Sequence, residues 1–323
     1  MATGWRLATF NLESFDERAS EPQAFANRVA ALQPLLMQVD ADVFCLQEVN
    51  AQEQGRKQPR VFQALDHLLA GTPYSRFYRS HSVNPHTMRP SDVHNLVTLS
   101  RWPIVQTQQL VHNFIPAWRM PASNFGAAGA DVEICFDRPT LVSEIAKPGG
   151  ALHILNMHLR APRAAPLPQS GHGGHWTTNA DWARGFYIAA LKRQGQALEA
   201  RLAIDAILDS DAGARIAVCG DLNAENFETP LRILRGVPDE GGPALLAARA
   251  LTALELRLPQ QRRFSVIHDR RPVLLDHILV SNSLESDCTG VEILNEELAD
   301  EAHVIGPVAG SLHAPLIAKF RSK

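Results

Sequence analysis

The chain of 323 residues carries a formal net charge of −3, with 31 Lys and Arg against 34 Asp and Glu, and its length is compatible with two domains or one large α/β domain. The charge disfavours tight nonspecific binding of nucleic acid through a phosphate-neutralising surface, although a local basic patch is compatible with it. No run approaches the roughly 20 apolar residues of a membrane span, and no charged leader precedes an apolar region, so we predict a soluble, cytoplasmic protein.

The four cysteines, at positions 45, 135, 219 and 288, show no CxxC spacing. They predict neither a disulfide framework nor a zinc site. Cys45 and Cys219 lie within apolar, strand-like runs and are expected to be small core residues. This use of cysteine is typical of a reducing compartment.

The first part of the chain combines short apolar runs with a helical repeat. Phe25, Val29, Leu32 and Leu36 recur at helical spacing, and residues 20–23 carry a capping-box pattern ahead of them. The expected elements, in order, are strands at 5–10 and 42–46 around a helix at 22–37, a helix at 61–69, a polar loop at 79–92, and strands at 95–99 and 104–111.

The rest of the chain is expected to contain long loops, a hairpin and a long helix. The loops at 113–138 and 161–178, together with residues 79–94, are expected to form the mouth of a site. His172 and His175 could form a weak metal site, although a flexible loop is the favoured interpretation. The other elements, in order, are a hairpin of strands 140–145 and 151–156, a helix at 181–208, a strand at 216–219, helical segments within 228–260 interrupted at 241–243, and strands at 264–267, 274–280 and 314–320.

The chain shows no fixed-period repeat and no low-complexity linker, so we predict one domain spanning residues 1–323. Strands outnumber helices in this prediction, and several strands are continuous apolar runs rather than alternating ones. Such runs indicate sheets that are covered on both faces or packed on each other.

The stretch from Arg215 to Glu225 combines a buried strand with an abrupt polar ending. Its apolar residues are followed by Gly220, Asp221, Leu222 and Asn223. Asp221 and Asn223 can point the same way across the pleat, and Gly220 lets the backbone turn without a Cβ penalty. An ordinary turn and a site that holds water or a hard cation are equally compatible with this stretch alone.

Polar residues also stand at the ends of other expected strands. Strand ends carry Asn11, Glu13, Glu48, His158, Asp221 and Asn223, and strand starts carry Asp276, His277 and His313. If the last two strands run antiparallel to the others, all these residues meet on one rim of the sheets. Crowded acidic side chains repel each other unless a cation or a proton lies among them, and the oxygen-rich set favours Mg²⁺ or Mn²⁺ over zinc.

Six segments carry a resemblance to a known family: TFNLE, CLQEVN, NMHLRAP, CGDLNAE, LLDHILVS and LHAPLIAKF, in this order between residues 5 and 320. They resemble the endonuclease/exonuclease/phosphatase superfamily, which has a deoxyribonuclease I-like fold. The resemblance implies the α/β (α+β) class, as a four-layer α/β/β/α sandwich of two packed mixed sheets flanked by helices. It also implies metal-dependent hydrolysis of a phosphate ester.

The resemblance implies metal-binding roles for residues of the first two motifs. Glu48, in LQE, corresponds to the principal metal carboxylate, with Asn11 nearby, and Glu13 occupies a second acidic position. The implied cofactor is Mg²⁺ or Mn²⁺. Without the resemblance, Glu48 would be interpreted as a solvated strand end and Asn11 as a residue that satisfies turn backbone.

The resemblance also implies roles near the reacting phosphate. Asp221 corresponds to the residue that aligns the attacking water, and Asn223 to a contact with the phosphate or the water. His158, in NMHL, corresponds to a phosphate-contacting histidine. Asp276 corresponds to the partner that orients His313.

Other polar and aromatic residues are expected to be structural, although the tryptophans could instead line a substrate cleft. The residues in this group are Arg193, Gln196, His277, Trp102, Trp118, Trp176 and Trp182.

The last motif departs from the family pattern. The family usually has Ser-Asp-His ahead of a small residue and Pro, whereas this chain has Ser311, Leu312 and His313. Leucine can neither coordinate a cation nor accept a proton. Asp300 and Glu301 lie on the preceding loop, but neither is an obvious substitute for the missing carboxylate.

We therefore expect a metal-dependent phosphoesterase that uses in-line attack of water on phosphorus. The alternatives are a catalytically impaired binding module of the same fold and a weak endo- or exonuclease. The substrate could be a small molecule, a lipid headgroup or a nucleic acid, as a monoester or a diester. The near-neutral surface slightly favours small or lipid-like phosphodiesters over long DNA, and the sequence does not indicate an oligomeric state.

Overall fold

A computed structural model describes residues 4–18, 20–55, 58–125, 130–167, 176–238, 243–306 and 308–322. Within these ranges, sixteen strands form two sheets of six strands and two small hairpins. In order they are β1 Trp5–Phe15, β2 Val43–Val49, β3 Tyr78–His81, β4 Asn95–Ser100, β5 Ile104–Leu110, β6 Trp118–Met120, β7 Val132–Ile134, β8 Thr140–Ile145, β9 Leu152–His158, β10 Arg215–Asp221, β11 Thr252–Ala253, β12 Val266–His268, β13 Arg271–Val273, β14 Asp276–Val280, β15 Cys288–Ile293 and β16 Leu316–Phe320.

The described residues also include six α-helices and four short 3₁₀ helices. The α-helices are α1 Pro22–Val39, α2 Gln63–Leu69, α3 Asn179–Ser210, α4 Thr229–Arg235, α5 Ala244–Ala247 and α6 Asn282–Glu285. The 3₁₀ helices are Pro73–Arg76, Ala122–Phe125, Leu254–Arg257 and Gln260–Arg262.

Strand direction is mixed in both large sheets. The first sheet has the order β15-β16-β1-β2-β4-β3, and the second has the order β11-β14-β10-β9-β8-β5. β1 is parallel to β2, and β9 is parallel to β10. β16 is antiparallel to β1, and β14 is antiparallel to β10. The carboxyl ends of β1, β2, β9 and β10 therefore lie near the amino ends of β14 and β16.

The two sheets pack face to face, and helices cover their outer faces. The layer between the sheets includes Leu7, Val43, Cys45, Ile154, Ala217, Cys219 and Ile278. α1 and α2 pack on the outer face of the first sheet, and α3 and α4 pack on that of the second. Fully burying one such aliphatic side chain contributes about 1.5–3 kcal/mol. The predicted four-layer α/β/β/α sandwich is confirmed.

Several local predictions were wrong because sheet pairing or a different cap decides the local structure. β3 occupies part of the predicted loop 79–92, since its polar residues pair with β4. β6 and β7 form a hairpin within 113–138. β15 was not predicted, because its sequence lacks a continuous apolar run. α1 begins after Glu21 with no side-chain cap, so the capping box predicted at 20–23 is absent.

The described part of the region predicted as helical, 228–238 and 243–260, is mostly not helical. Its α-helices are α4 and α5, and β11 and 3₁₀ turns follow them. By contrast, α3 begins with a capping box formed by Thr178 and Asp181. No helix among the described residues combines the length and apolarity that crossing a membrane requires.

Candidate functional site

The polar strand ends meet on one rim of the sandwich, as the antiparallel arrangement predicts. Asp221 on β10 is paired with His158 on β9 and with Asp276 on β14. Asn11, the last residue of β1 before the register shift in its pairing with β2, donates a hydrogen bond from Nδ2 to Asp221 Oδ2 at 3.0 Å. Residues that are far apart in the chain thus surround the Asp221 carboxylate, which is only 2% exposed.

Gly220 allows β10 to approach β9 closely enough to bury Asp221. Its φ is +148°, and a Cβ at this position would lie 1.8 Å from the Met157 carbonyl oxygen. No side chain other than hydrogen fits both constraints. Gly220 therefore allows the neighbouring Asp221 carboxylate to be buried between β9 and β14.

One oxygen of the Glu48 carboxylate is fixed by hydrogen-bond donors and the other faces the rim. Oε2 accepts hydrogen bonds from Ser14 N at 2.8 Å and from Ser14 Oγ at 3.1 Å, and His94 Nδ1 lies 3.4 Å away. Oε1 lies 3.4 Å from Asn11 Nδ2 and 3.7 Å from His158 Nε2. Burial by itself raises the pKa of Glu48, but the His94 contact and the nearby cationic groups hold that pKa well below its usual range.

Asn11 bridges the two carboxylates through its amide nitrogen. Its Oδ1 accepts a hydrogen bond from the backbone N–H of Glu13 at 2.8 Å, which fixes the orientation of the amide. Its Nδ2 faces both Glu48 and Asp221. In this structure Asn11 is therefore a hydrogen-bond donor to the acidic pair, whereas a metal ligand would have to present its oxygen.

Glu13 is placed apart from this acidic pair. Its backbone is left-handed, with φ of 54°, and a register shift interrupts the β1–β2 pairing after Asn11. Its Oε2 accepts a hydrogen bond from Leu312 N at 2.8 Å. The Glu13 carboxylate thus anchors the loop that carries the altered last motif.

Asp221 is surrounded by donors. Asn223 donates from its backbone N to Oδ1 at 2.9 Å and from Nδ2 to Oδ2 at 3.1 Å. His158 Nε2 lies 3.3 Å from Oδ2. Burial raises the pKa of Asp221 to about 6. The nearby His313 acts in the opposite direction and lowers this pKa in part. Burial, together with the charge of Arg138, holds the pKa of His158 well below its ordinary value, so His158 is neutral at neutral pH.

Asp276 is buried, and His313, which is partly buried, forms an ion pair with it. His313 Nδ1 donates to Asp276 Oδ2 at 2.7 Å, and its Nε2 lies 3.8 Å from Asp221 Oδ2. Burial lowers the pKa of His313, but the charges of Asp276 and Asp221 and the hydrogen bond outweigh this and raise that pKa to about 10. His313 is therefore an imidazolium at neutral pH, located between two carboxylates.

Two groups of rim residues offer carboxylate oxygens as potential metal ligands, and the two groups differ in their suitability for a metal. Asp221, Asp276 and His313 place potential ligand atoms within 4.8 Å of one another. A protonated His313 has no lone pair to offer, and its positive charge already compensates the two carboxylates. Glu48 keeps its negative charge, and the Glu48–Asp221 side offers carboxylate oxygens of the kind that hard divalent cations prefer. Asn11 Nδ2 lies 3.4 Å from Glu48 Oε1 and 3.0 Å from Asp221 Oδ2, so a cation between them would have to displace that amide group.

Two further rim residues, His94 and Arg138, were not predicted. His94 precedes β4, which is antiparallel to β2, and Arg138 precedes β8, which is antiparallel to β9. Burial lowers the pKa of Arg138, while the charges of Glu48 and Asp221 act in the opposite direction. The rule that located Asp276 and His313 would have found both residues, because each stands at the start of a strand antiparallel to a site strand.

Most residues expected to be structural have local partners. Arg193 Nη1 donates to Arg160 O at 2.5 Å, and Gln196 Nε2 donates to Arg138 O at 3.1 Å. His277 lies between Glu255 and the Ala224 carbonyl, with ring-nitrogen distances of 2.6 and 2.8 Å.

The tryptophans divide into packing residues and exposed residues. Trp102 packs edge-on to Trp5, and Trp118 packs on Phe136. Trp176 and Trp182 are exposed.

The two acidic residues of the last loop lie elsewhere. Asp300 accepts hydrogen bonds from Asp269 N and Arg270 N, and Glu301 contacts His268. Both carboxylates therefore serve the β12–β13 hairpin. His172 and His175 lie outside the described residues.

The two mixed sheets, the outer helices and the acidic rim define a deoxyribonuclease I-like sandwich. A model of the Endonuclease/Exonuclease/phosphatase family matches residues 8–300, and the chain belongs to this family. Comparison with the curated proteins finds no match.

Solved structures with the same fold cover nearly the whole chain at low sequence identity. Truncated Caenorhabditis elegans TDP2 is 13% identical, with 99% of this chain and 98% of that chain covered and a TM-score of 0.58. The 3′ phosphatase NExo from Neisseria, bound to a product DNA hairpin, is 14% identical, with 98% and 100% covered and a TM-score of 0.54. An AP endonuclease from Archaeoglobus fulgidus is 14% identical, with 98% and 99% covered and a TM-score of 0.54.

Proposed function

We propose that this protein is a divalent-metal-dependent phosphoesterase that hydrolyses a phosphate ester by in-line attack of water. The observation that carries the proposal is the buried Asp221 carboxylate, which is surrounded on one rim by Asn11, Asn223, His158 and His313. A buried carboxylate with a raised pKa is suited to accept a proton from water near neutral pH. Family membership supports the same reaction class.

Each rim residue has a role that its contacts support. Asp221 orients the attacking water and accepts its proton. Asn223 and neutral His158 hold the Asp221 carboxylate in place. Asn223 Nδ2 also donates to Leu159 O at 3.0 Å, so either side chain would donate to a phosphate oxygen by exchanging a present acceptor for it. The His313 imidazolium, oriented by Asp276, stabilises negative charge as it develops on phosphorus-bound oxygen. Arg138 adds a second fixed positive charge at the same rim.

Glu48 is the proposed principal ligand for Mg²⁺ or Mn²⁺, with Asn11 and Glu13 as secondary candidates. When bound, such a cation neutralises phosphate charge and stabilises the leaving oxygen. Ser14 fixes one Glu48 oxygen, beside which His94 lies at 3.4 Å, and the other oxygen faces the rim with Asn11 Nδ2 at 3.4 Å. Glu13 could contribute only after releasing Leu312 N. We place this activity in a reducing compartment such as the cytoplasm, since Cys45 and Cys219 are free thiols in the core.

Metal removal tests the reaction class directly. We expect the protein to hydrolyse a chromogenic phosphodiester or phosphomonoester when Mg²⁺ or Mn²⁺ is present, because the Glu48–Asp221 carboxylates need a cation when phosphate approaches. Chelation should abolish turnover and readdition of metal should restore it. Turnover that is insensitive to chelator would contradict the metal requirement, and no turnover of either ester with metal would favour the binding module.

Replacement of Leu312 tests whether the altered last motif limits the site. Leu312 is 8% exposed and lies between Ser311, bonded to Asn11 O, and His313. We expect Leu312→Asp to tighten divalent-metal binding about tenfold, since an added carboxylate raises the ligand charge. Isothermal titration with Mn²⁺ and the hydrolysis rate measure the effect, with Leu312→Asn as the uncharged control. If Leu312→Asp and Leu312→Asn both keep the metal affinity and hydrolysis rate of the unsubstituted protein, the missing carboxylate does not limit the site.

A further inference from the structure

A pocket of about 260 Å³ with a mixed polar and apolar lining lies near the rim, between α3 and the segment that follows β10. Its lining includes Pro162, Phe186, Phe227 and Pro230, and also Arg193 and Glu228, which lie 3.5 Å apart as an ion pair. Phe227 follows Asn223 on the same loop, and Pro162 follows the β9 strand end that carries His158. Arg193 connects the pocket to the rim, because its Nη1 donates to Arg160 O at 2.5 Å. The pocket is therefore adjacent to the proposed reaction centre.

The aromatic side chains that line this pocket are exposed to solvent. Phe227 is 73% exposed and Phe186 is 44% exposed. Trp182, which is also exposed, stacks on Phe186 with ring centroids 5.5 Å apart and an interplanar angle of 28°. Neighbouring exposed aromatic side chains around a concave surface are characteristic of a binding site.

Cationic side chains lie between the pocket and the rim, each beside a carboxylate, and Arg193 pairs with Glu228. Arg160 and Lys192 share the single carboxylate of Asp137, each at 2.6 Å. Arg138 lies at the rim with Glu48 and Asp221 as its charged neighbours. Aromatic rings beside a cationic strip complement a ligand with a flat π-face and an adjacent phosphate.

We propose that the pocket lined by Phe186 and Phe227 binds the nucleobase of a nucleotidyl phosphoester whose phosphate lies at the Asp221 rim. This assignment rests on the proposed phosphoesterase function. A volume of about 260 Å³ is below the roughly 300–1,000 Å³ of sites for drug-sized ligands and suits one ring system rather than a pair of acyl chains. Both a free nucleotide and a strand end offer this chemistry.

A binding experiment separates this proposal from catalysis. The metal-loaded protein is titrated with thymidine 5′-monophosphate, with a short fluorescent oligothymidylate, and with phosphatidylserine–phosphatidylcholine vesicles. Phe227→Ala and Phe186→Ala are expected to weaken nucleotide binding on the order of tenfold. Tyr187→Ala is the matched control, because Tyr187 is 57% exposed on the same helix and is not part of the pocket lining.

Each outcome of the titrations has a defined meaning. Loss of nucleotide binding in the Phe variants with retention in the Tyr187 variant supports the pocket, and the mononucleotide and oligonucleotide titrations identify the source of the base. Equal nucleotide affinity in all variants, or binding to vesicles alone, overturns it. Nucleotide binding without turnover would overturn the proposed function but would still support the proposed base pocket.

A kinetic comparison adds a second readout. Thymidine 5′-p-nitrophenyl phosphate carries a base, and methyl p-nitrophenyl phosphate does not, although both release the same leaving group. We expect Phe227→Ala to lower kcat/KM on the order of tenfold for the nucleoside ester and to leave the methyl ester unchanged. Equal losses for both esters would indicate a general disturbance of the site and would contradict a base pocket.

Discussion

We expect Asp221→Asn to lower kcat by about 10²–10⁴-fold, because the amide cannot accept a proton from water. The substitution is nearly isosteric, but one carboxylate oxygen becomes an NH2 group. This group faces either Asn223 N or the Nδ2 groups of Asn11 and Asn223, so at least one of these hydrogen bonds is lost. Hydrolysis of the chromogenic ester with saturating metal measures the loss. Asp131→Asn, at an exposed position, is the matched control for the same chemical change.

The same substitution should separate activity from stability. Burial raises the pKa of Asp221 to about 6 from an ordinary value of 3.8, so the fold disfavours its ionised form. For an acid with a raised folded-state pKa, stability falls as the pH rises through this interval and stays lower above it. In chelator at neutral pH, removal of the disfavoured charge should largely offset the lost hydrogen bonds, so Asp221→Asn should change the Tm only modestly. A large fall in both Tm and kcat would indicate that Asp221 acts by holding the fold.

The residues that meet at the rim could be predicted because a strand can run in only two directions relative to its neighbour. Once β14 and β16 are antiparallel to β10 and β1, Asp276 and His313 must approach Asp221. His94 and Arg138 obey the same rule, but no sequence motif marks them. The predicted hairpin already made β8 antiparallel to β9, whereas the strand after His94 had no predicted direction, so the contribution of His94 required the sheet topology.

For Glu13, the alternation of side chains along a strand does not predict where the carboxylate lies. A continuous strand would place Glu13 on the same side as Asn11, since alternate residues share a face. The register shift after Asn11 and the left-handed backbone of Glu13 redirect its carboxylate to Leu312 N. Irregularities of this kind re-aim side chains near sites, and apolar patterning does not reveal them.

The amide of Asn11 illustrates a second limit. Its position at a strand end indicated an oxygen ligand, but which amide atom faces the carboxylates depends on a backbone N–H two residues later. Similarly, the positive charge of His313 depends on two carboxylates contributed by other strands. Protonation and amide orientation are properties of the assembled rim, whereas residue type is a property of the sequence.

Gly220→Ala should prevent the protein from folding stably, at a cost above about 4–5 kcal/mol, a range in which backbone strain and overpacking combine. The added Cβ would lie 1.8 Å from Met157 O, and the φ of +148° is unsuited to any side chain. Because β9 and β10 are paired along their whole length, neither strand can withdraw without breaking the ladder that positions Asp221 and His158.

A second glycine separates the two causes of this effect. Gly71 has a φ of +77°, and its added Cβ would meet nothing within 4 Å, so Gly71→Ala carries only the backbone strain. That strain costs about 1–2 kcal/mol. Urea denaturation and soluble yield compare the two variants, with Gly220→Ala expected to lose the cooperative transition and Gly71→Ala to shift its midpoint modestly. A Gly220→Ala protein with the wild-type midpoint would mean that the close β9–β10 approach does not hold Asp221 at the rim.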